Sequence, residues 1–120
     1  MSRIALLAAG LVATFALAGP IGASSNVTKL TGTVGPGFTI TLKKGTAKVK
    51  TLKAGTYKVV ISDKSAIHGW SLDGPHGFAK DISPVPFTGS KTVTLKLKAG
   101  AYKFYCPSHE STMFGHFKVT

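Results

Sequence analysis

The stretch of sequence that decides the fold is residues 100–115, which read GAYKFYCPSHESTMFG. In its first half, Tyr102, Phe104 and Cys106 are separated by one residue each, so they fall on one face of an extended chain. Alternation of this kind is typical of a β-strand with one buried face. We therefore predict a strand that ends at Cys106 with its thiol on the core side, followed by a short polar loop.

Further alternating segments lie upstream of this strand. They cover residues 38–42, 57–61 and 93–97, and Gly, Pro and Lys-Gly turns separate them. Short alternating runs between such turns are typical of an all-β sandwich or barrel. No segment after the N-terminal one has a helical period of useful length, so the predicted fold class is all-β.

A seven-residue motif occurs twice, as LKAGTYK at residues 52–58 and as LKAGAYK at residues 97–103. In each copy a glycine turn leads into a strand whose tyrosine, Tyr57 or Tyr102, is predicted to face inward. A single recurrence is too little for a solenoid, which needs at least three repeats. It indicates two similar hairpin entries in a pseudo-symmetric sandwich.

Residues able to bind a soft metal are concentrated after the strand that ends at Cys106. His109 and Met113 lie in the following loop, and His68 supplies a second imidazole upstream. Two imidazoles, one thiolate and a weak, long thioether are the ligand set of a blue-copper electron-transfer site. His68 begins a predicted strand and Cys106 ends one, so both reach the same pole if the two strands are antiparallel. We therefore predict one copper ion per chain, bound by these four residues.

Each of these residues has an ordinary structural explanation when it is taken alone. A free cysteine is commonly a small buried hydrophobe, a histidine at a strand end is commonly hydrogen-bonded, and a methionine commonly fills a core. The combination favours the metal site. His76, in a turn, and His116, predicted to face outward, are weaker candidates. Glu110 could supply an oxygen ligand in place of the thioether of Met113.

The N-terminal segment has the pattern of a secretory signal peptide. Arg3 is followed by an uncharged, apolar stretch at residues 4–18 and then by small residues. The alternative is an uncleaved membrane anchor. Gly19 and Pro20 would end the helix of such an anchor before it reaches the roughly 20 residues that a membrane span requires.

We predict cleavage after Ala23. The resulting division is a signal peptide at residues 1–23, a lead-in segment at residues 24–37 and a copper-binding domain at residues 38–120. The mature product is then exported, periplasmic or extracellular, and is not stably inserted in the membrane. Its single cysteine cannot form an internal disulfide, which is compatible with a metal-binding role.

The chain is strongly basic, with a formal net charge of +11 at pH 7. Without Arg3 the mature chain retains fourteen lysines against four carboxylates, a net charge of +10. The lysines are dispersed and there is no arginine fork for bases or phosphates, so nucleic acid is not an expected ligand. The charge favours an acidic redox partner or anionic envelope polymers.

The sequence resembles the cupredoxins, particularly the small plastocyanin-like and amicyanin-like copper proteins of bacteria. The resemblance covers residues 38–120 and rests on GAYKFYC leading into His109 and Met113, on the upstream HGW that begins with His68, and on the exit through residues 115–119. It implies an antiparallel Greek-key β-sandwich. It also implies that His68, Cys106 and His109 are equatorial copper ligands and that Met113 is the axial one.

The resemblance further implies one-electron transfer between Cu(II) and Cu(I), with His109 as the exit for the electron. We therefore expect a monomeric electron carrier that exchanges electrons with a redox protein. The alternative is a copper-binding or trafficking protein of the cell envelope. An enzyme is not expected, because copper oxidases and nitrite reductases need further copper ligands or extra domains.

Overall fold

The computed structural model describes residues 27–120, which form a sandwich of two five-stranded sheets. The predicted signal peptide at residues 1–23 lies outside the described residues. The first sheet has the strand order β3 (Ala47–Lys48), β2 (Ile40–Lys44), β1 (Thr28–Val34), β5 (Gly55–Asp63) and β8 (Gly89–Leu97). The second has the order β4 (Thr51–Leu52), β10 (Phe114–Val119), β9 (Gly100–Tyr105), β6 (Trp70–Asp73) and β7 (Ala79–Ser83).

The all-β prediction is confirmed, although the sheets are mixed. Most neighbouring strands are antiparallel, whereas β1 pairs with β5 and β4 pairs with β10 in parallel. Alternation of side chains reports which face a residue occupies and not the direction of the neighbouring strand. The two parallel pairs therefore had no signal in the sequence.

Strand β1 lies within residues 24–37, the segment predicted to be a lead-in. It occupies the centre of the first sheet, between β2 and β5. Its inner face alternates as Leu30, Gly32 and Val34, and the missing side chain at Gly32 weakens the apolar pattern. A Cβ atom at Gly32 would collide with the side chain of Ile61 and approach the indole of Trp70 to 3.0 Å. The sandwich therefore begins about ten residues before the predicted boundary at residue 38.

The core between the sheets is centred on Trp70, whose side chain is fully buried. Its indole stacks on the ring of Phe104 with centroids 5.4 Å apart and an interplanar angle of 3°. The indole N–H donates to the carbonyl oxygen of Thr41 at 3.2 Å, so a residue of the second sheet is bonded to a strand of the first.

The two copies of the repeated motif form the same local structure. The hydroxyl of Tyr57 donates to the carbonyl of Lys53 at 2.6 Å, and that of Tyr102 donates to the carbonyl of Lys98 at 2.8 Å. Both tyrosine side chains are buried, as predicted. Each ring therefore packs inward while its hydroxyl closes the preceding turn.

The chain crosses from the first sheet to the second at Val49 and Lys50. The amide of Val49 donates to Leu42 in the first sheet at 3.0 Å, and the carbonyl of Lys50 accepts from Lys118 in the second at 3.0 Å. Two residues thus connect β3 to β4 along one edge of the sandwich. Helical structure within residues 27–120 is limited to one 3-10 turn, Pro75–Gly77, and no helix there has the length and apolar character to cross a membrane.

Candidate metal centre

The residues that precede β6 and follow β9 meet at one end of the second sheet. Strands β6 and β9 are antiparallel neighbours, with Ser71 opposite Tyr105. His68, just before β6, and Cys106, just after β9, therefore reach the same pole, and both are fully buried. This is the convergence predicted from a strand start and a strand end. We call this end of the sandwich the ligand pole.

Three atoms able to bind a metal form a compact triangle at the ligand pole. The Nδ1 atoms of His68 and His109 are 3.1 Å apart, and the Sγ atom of Cys106 lies 3.7 Å from each of them. The point equidistant from the three atoms is then about 2.0 Å from each. This matches typical metal–nitrogen bonds, and a small shift away from the sulfur gives the roughly 2.3 Å of a metal–thiolate bond. These are the only three clustered His, Cys, Asp or Glu side chains with metal-binding geometry in residues 27–120. The donor set and the spacing fit a trigonal metal ion.

The loop after Cys106 is closed by its own backbone. The amide of Cys106 donates to the carbonyl of Met113 at 3.0 Å, and the amide of Met113 donates to the carbonyl of His109 at 2.8 Å. The side chain of Met113 is 1% exposed. The loop thus holds His109 beside the cysteine and returns the chain to β10 with the methionine turned inward.

A side-chain hydrogen bond joins the two segments that carry the ligands. The hydroxyl of Ser108 donates to the carbonyl of Ile67 at 2.9 Å, directly before His68. The same hydroxyl oxygen is 3.7 Å from the sulfur of Cys106. Ser108 therefore contacts both the thiol and the upstream ligand segment.

The buried carboxylate of Asp63 orders the turn before His68. It accepts hydrogen bonds from the amide of Ser65 at 3.0 Å and from the hydroxyl of Ser83. The carbonyl of Ser65 in turn accepts from the amide of His68 at 3.3 Å. On the other side of the ligand, a Cβ atom at Gly69 would lie 2.6 Å from the carbonyl oxygen of Ser83. The backbone of the first histidine is therefore held on both sides.

Phe38 belongs to the site although the sequence pattern assigned it to a strand. Strand β2 begins at Ile40, and the ring of Phe38 is 64% exposed. The ring packs edge-on against both imidazoles, with centroids 5.1 Å from His68 and 5.0 Å from His109. A phenylalanine at the end of an alternating run looks like a core residue in sequence, so its place at the pole had no distinguishing signal.

The weaker candidates lie away from the triangle. His116 is exposed on β10, with its ring centroid 5.6 Å from that of Phe114. His76 is exposed in the 3-10 turn, and Glu110 forms an ion pair with Lys103 at 2.9 Å.

Carboxylates cluster, together with Lys103, on the side of the second sheet next to Cys106. The hydroxyl of Tyr105 donates to Asp73 at 3.2 Å. Burial, followed by the charges of Asp73, Glu110 and Asp81, raises the pKa of Tyr105 to about 12. The phenol adjacent to the cysteine therefore stays protonated at neutral pH. Three of the four carboxylates of the chain surround it, and the fourth, Asp63, is buried.

No protein-family model matches this sequence, and no curated protein matches it. Solved structures do match its fold. A structure described as the copper protein rusticyanin is 20% identical with a TM-score of 0.58, and covers 81% of this chain and 80% of its own. Rusticyanin from Thiobacillus ferrooxidans is 23% identical with a TM-score of 0.53, over 81% and 79% of the two chains. Auracyanin A, a "blue" copper protein from Chloroflexus aurantiacus, is 17% identical with a TM-score of 0.55, over 79% of this chain and 100% of its own.

The fold and the triangle together define a class of structure, a β-sandwich with a Cys-His-His cluster at one pole, in which Cys106 and His68 are buried and His109 is half-buried. This is the cupredoxin fold, as the resemblance in the sequence implied. At these identities the similarity establishes the fold, and the ligands and the activity of this chain depend on its own residues.

Proposed function

We propose that the chain is an exported, mononuclear blue-copper protein that carries single electrons between redox partners. In this proposal His68, Cys106 and His109 are the equatorial ligands and Met113 is the axial ligand. The observation that carries it is the triangle of one sulfur and two nitrogen atoms, whose size matches a trigonal metal ion. A thiolate, two imidazoles and a weak axial thioether are the ligand set of blue copper.

The protein contributes rigidity and the exclusion of water. Copper, when bound, supplies one-electron chemistry between Cu(II) and Cu(I). The thiol of Cys106 and the ring of His68 are fully buried. Backbone hydrogen bonds hold the loop between Cys106 and Met113. Because the ligands are fixed by strand ends and hydrogen-bonded turns, they need little movement when the charge at the site changes. Small movement favours rapid electron transfer.

His109 is the proposed exit for the electron, because it is half-buried whereas His68 is fully buried. Exposed apolar side chains lie at the ligand pole. Phe38 packs on the ring of His109. The carbonyl of Ile67 accepts a hydrogen bond from Ser108, next to His109, and Val85 lies beside Gly69, next to His68. An apolar collar of this kind allows a partner to approach the imidazole closely without removing charged groups from water.

Met113→Leu is expected to retain copper and the blue colour while raising the reduction potential. The substitution conserves volume at a site that is 1% exposed, so the fold should tolerate it. Loss of a weak axial donor disfavours Cu(II) more than Cu(I). Visible spectra and voltammetry of the copper-loaded protein measure both effects.

His116→Ala is the matched control for that variant, because His116 is exposed on β10 three residues after Met113. It should leave the spectrum and the potential unchanged. A spectral shift in His116→Ala, with none in Met113→Leu, would show that the axial assignment is wrong.

Copper trafficking without electron transfer is the alternative function. A rigid site should give a reversible one-electron wave in voltammetry with copper retained in both oxidation states. A trafficking protein should instead release or exchange copper when it is reduced. Retention of copper through repeated cycles therefore favours the electron carrier.

An acidic redox partner is proposed from the net charge of the chain. Surface charges attract such a partner over long range, and at 0.15 M ionic strength screening limits that range to about 8 Å. Electron exchange with an acidic acceptor should slow as salt is added, and exchange with a basic acceptor should accelerate. Stopped-flow rates with small acceptor proteins of each sign test this. Rates independent of salt for both would contradict electrostatic steering.

A further inference from the structure

The carboxylates of the described residues are distributed unevenly between the two sheets, whereas lysines occur on both. The exposed carboxylate of Asp81 lies on the second sheet, as does Asp73, and Glu110 is bonded to Lys103 of β9. The first sheet contains one carboxylate, Asp63, and it is buried. The outer face of the first sheet, formed by the outward side chains of β1, β2, β5 and β8, therefore carries lysines with no acidic neighbour on the same face.

Pairing of the strands places like charges directly beside each other on this face. Lys29 of β1 is opposite Lys58 of β5, and Thr94 of β8 follows in the same row. Lys43 of β2 is likewise opposite Lys48 of β3. Directly opposed like charges destabilise a sheet. Repulsion between these lysines therefore lowers the stability of the isolated protein, and a bound anionic ligand would relieve the repulsion.

Hydroxyl groups lie beside the lysines and continue toward the ligand pole, with Thr31 opposite Lys43. Thr33 is flanked by Thr41 on one side and by Ser62 on the other, and Ser90 follows Ser62. Neighbouring strands are about 4.8 Å apart, so these rows present closely spaced hydrogen-bond donors on one face of the sheet. Threonine is common in strands for reasons of packing alone. The association of hydroxyl rows with uncompensated lysines is the feature that points to a ligand.

We propose that the outer face of the first sheet binds a linear anionic polysaccharide. The lysines pair with its carboxylate or sulfate groups, and the hydroxyls bond to sugar oxygens. The exposed large apolar residues of the described chain are Val27, Phe38, Ile67, Val85 and Phe114. Val27, directly before β1, shares the alternation of Lys29, and the half-buried Val60 faces outward beside Thr31. The face offers no Trp, Phe or Leu for insertion into a lipid surface. It also has no aromatic side chain on which nucleic-acid bases could stack.

Binding at the Lys29–Lys58 end of this face leaves the ligand pole free. Strands β1 and β5 run in parallel from Lys29 and Lys58 toward the pole, where Gly35 lies next to the ring of His68. Five residues separate Lys29 from the end of β1, which corresponds to roughly 17 Å. A polymer on the lysines would hold the protein in place while His109 remains accessible.

The test measures binding of the mature protein to soluble alginate, a linear polymer of uronates, by calorimetry at about 0.15 M salt. The double variant Lys29→Gln, Lys58→Gln should weaken binding roughly five- to tenfold. The control, Lys80→Gln with Lys118→Gln, removes the same charge from exposed positions of the second sheet. It should change the affinity less than about twofold. Far-UV circular dichroism and the unfolding temperature verify that both variants fold.

A second pair of variants, Thr31→Val and Thr94→Val, removes hydroxyls without changing charge and should also weaken binding. Equal losses in the two lysine variants would overturn the proposal, because net charge alone would then explain the affinity. No binding of alginate by the unaltered protein would overturn it as well. Equally tight binding to phosphatidylglycerol vesicles that depends on the same lysines would assign the face to lipid. These outcomes do not depend on copper.

Discussion

Replacing Cys106 with serine is expected to abolish the intense blue colour of the copper-loaded protein. The colour of such a site arises from charge transfer between a thiolate and Cu(II), and Cys106 is the only cysteine in the sequence. A serine hydroxyl is neither soft nor readily ionised, so it cannot replace the thiolate at the triangle. Visible absorption, measured together with the copper content of the same sample, gives the result.

Ser108→Ala is the control for the cysteine variant. Its hydroxyl lies 3.7 Å from the sulfur and donates to Ile67. Its removal should therefore alter the position of the band while the strong colour remains. Stoichiometric copper without a visible band in the unaltered protein would contradict the blue-copper assignment and leave a copper-binding protein of another kind.

Trp70→Ala is expected to lower the free energy of unfolding by about 3–5 kcal/mol. This is a large share of the roughly 5–15 kcal/mol that stabilises a typical domain. The indole is fully buried, stacks on Phe104 and is bonded to Thr41 in the opposite sheet. Its loss would open a cavity beside the strand that presents His68 and would remove a hydrogen bond between the sheets. Chemical denaturation monitored by circular dichroism measures the change.

Trp70→Phe separates the two contributions. It retains a ring that can stack on Phe104 and loses the indole N–H, so it should cost clearly less than the alanine variant. Equal costs for both substitutions would mean that the hydrogen bond to Thr41, and not the packing, dominates the contribution of this residue.

Much of the fold and the arrangement of the candidate site could be predicted because the relevant signals are local. The alternation around Tyr102 and Phe104 predicts the strand that ends at Cys106, and His109 lies only three residues further on. His68 is distant in sequence, yet its position at a strand start places it at the same pole once β6 and β9 are antiparallel. The convergence therefore follows from strand geometry alone.

The remaining features depend on contacts that leave no local pattern. Strand β1 was missed because Gly32 interrupts its apolar face, and the reason for that glycine is the close approach of Ile61 and of the indole of Trp70. Asp63 looks like an ordinary polar residue at a strand end, and only the fold brings Ser83 against it. The role of Phe38 likewise leaves no local pattern in the sequence. Its contacts with the two imidazoles arise from the turn before β2, whose shape alternation does not encode.

The crossing at Val49 and Lys50 has a consequence for how the domain opens. Val49 is hydrogen-bonded to Leu42 in one sheet and Lys50 to Lys118 in the other. Opening of either sheet at this edge therefore strains the same two-residue segment. Segments that share such a connection behave as one cooperative unit and exchange their protected amide hydrogens together. We therefore expect the amide hydrogens of Val49 and Lys118, which lie on either side of this crossing, to exchange at similar rates.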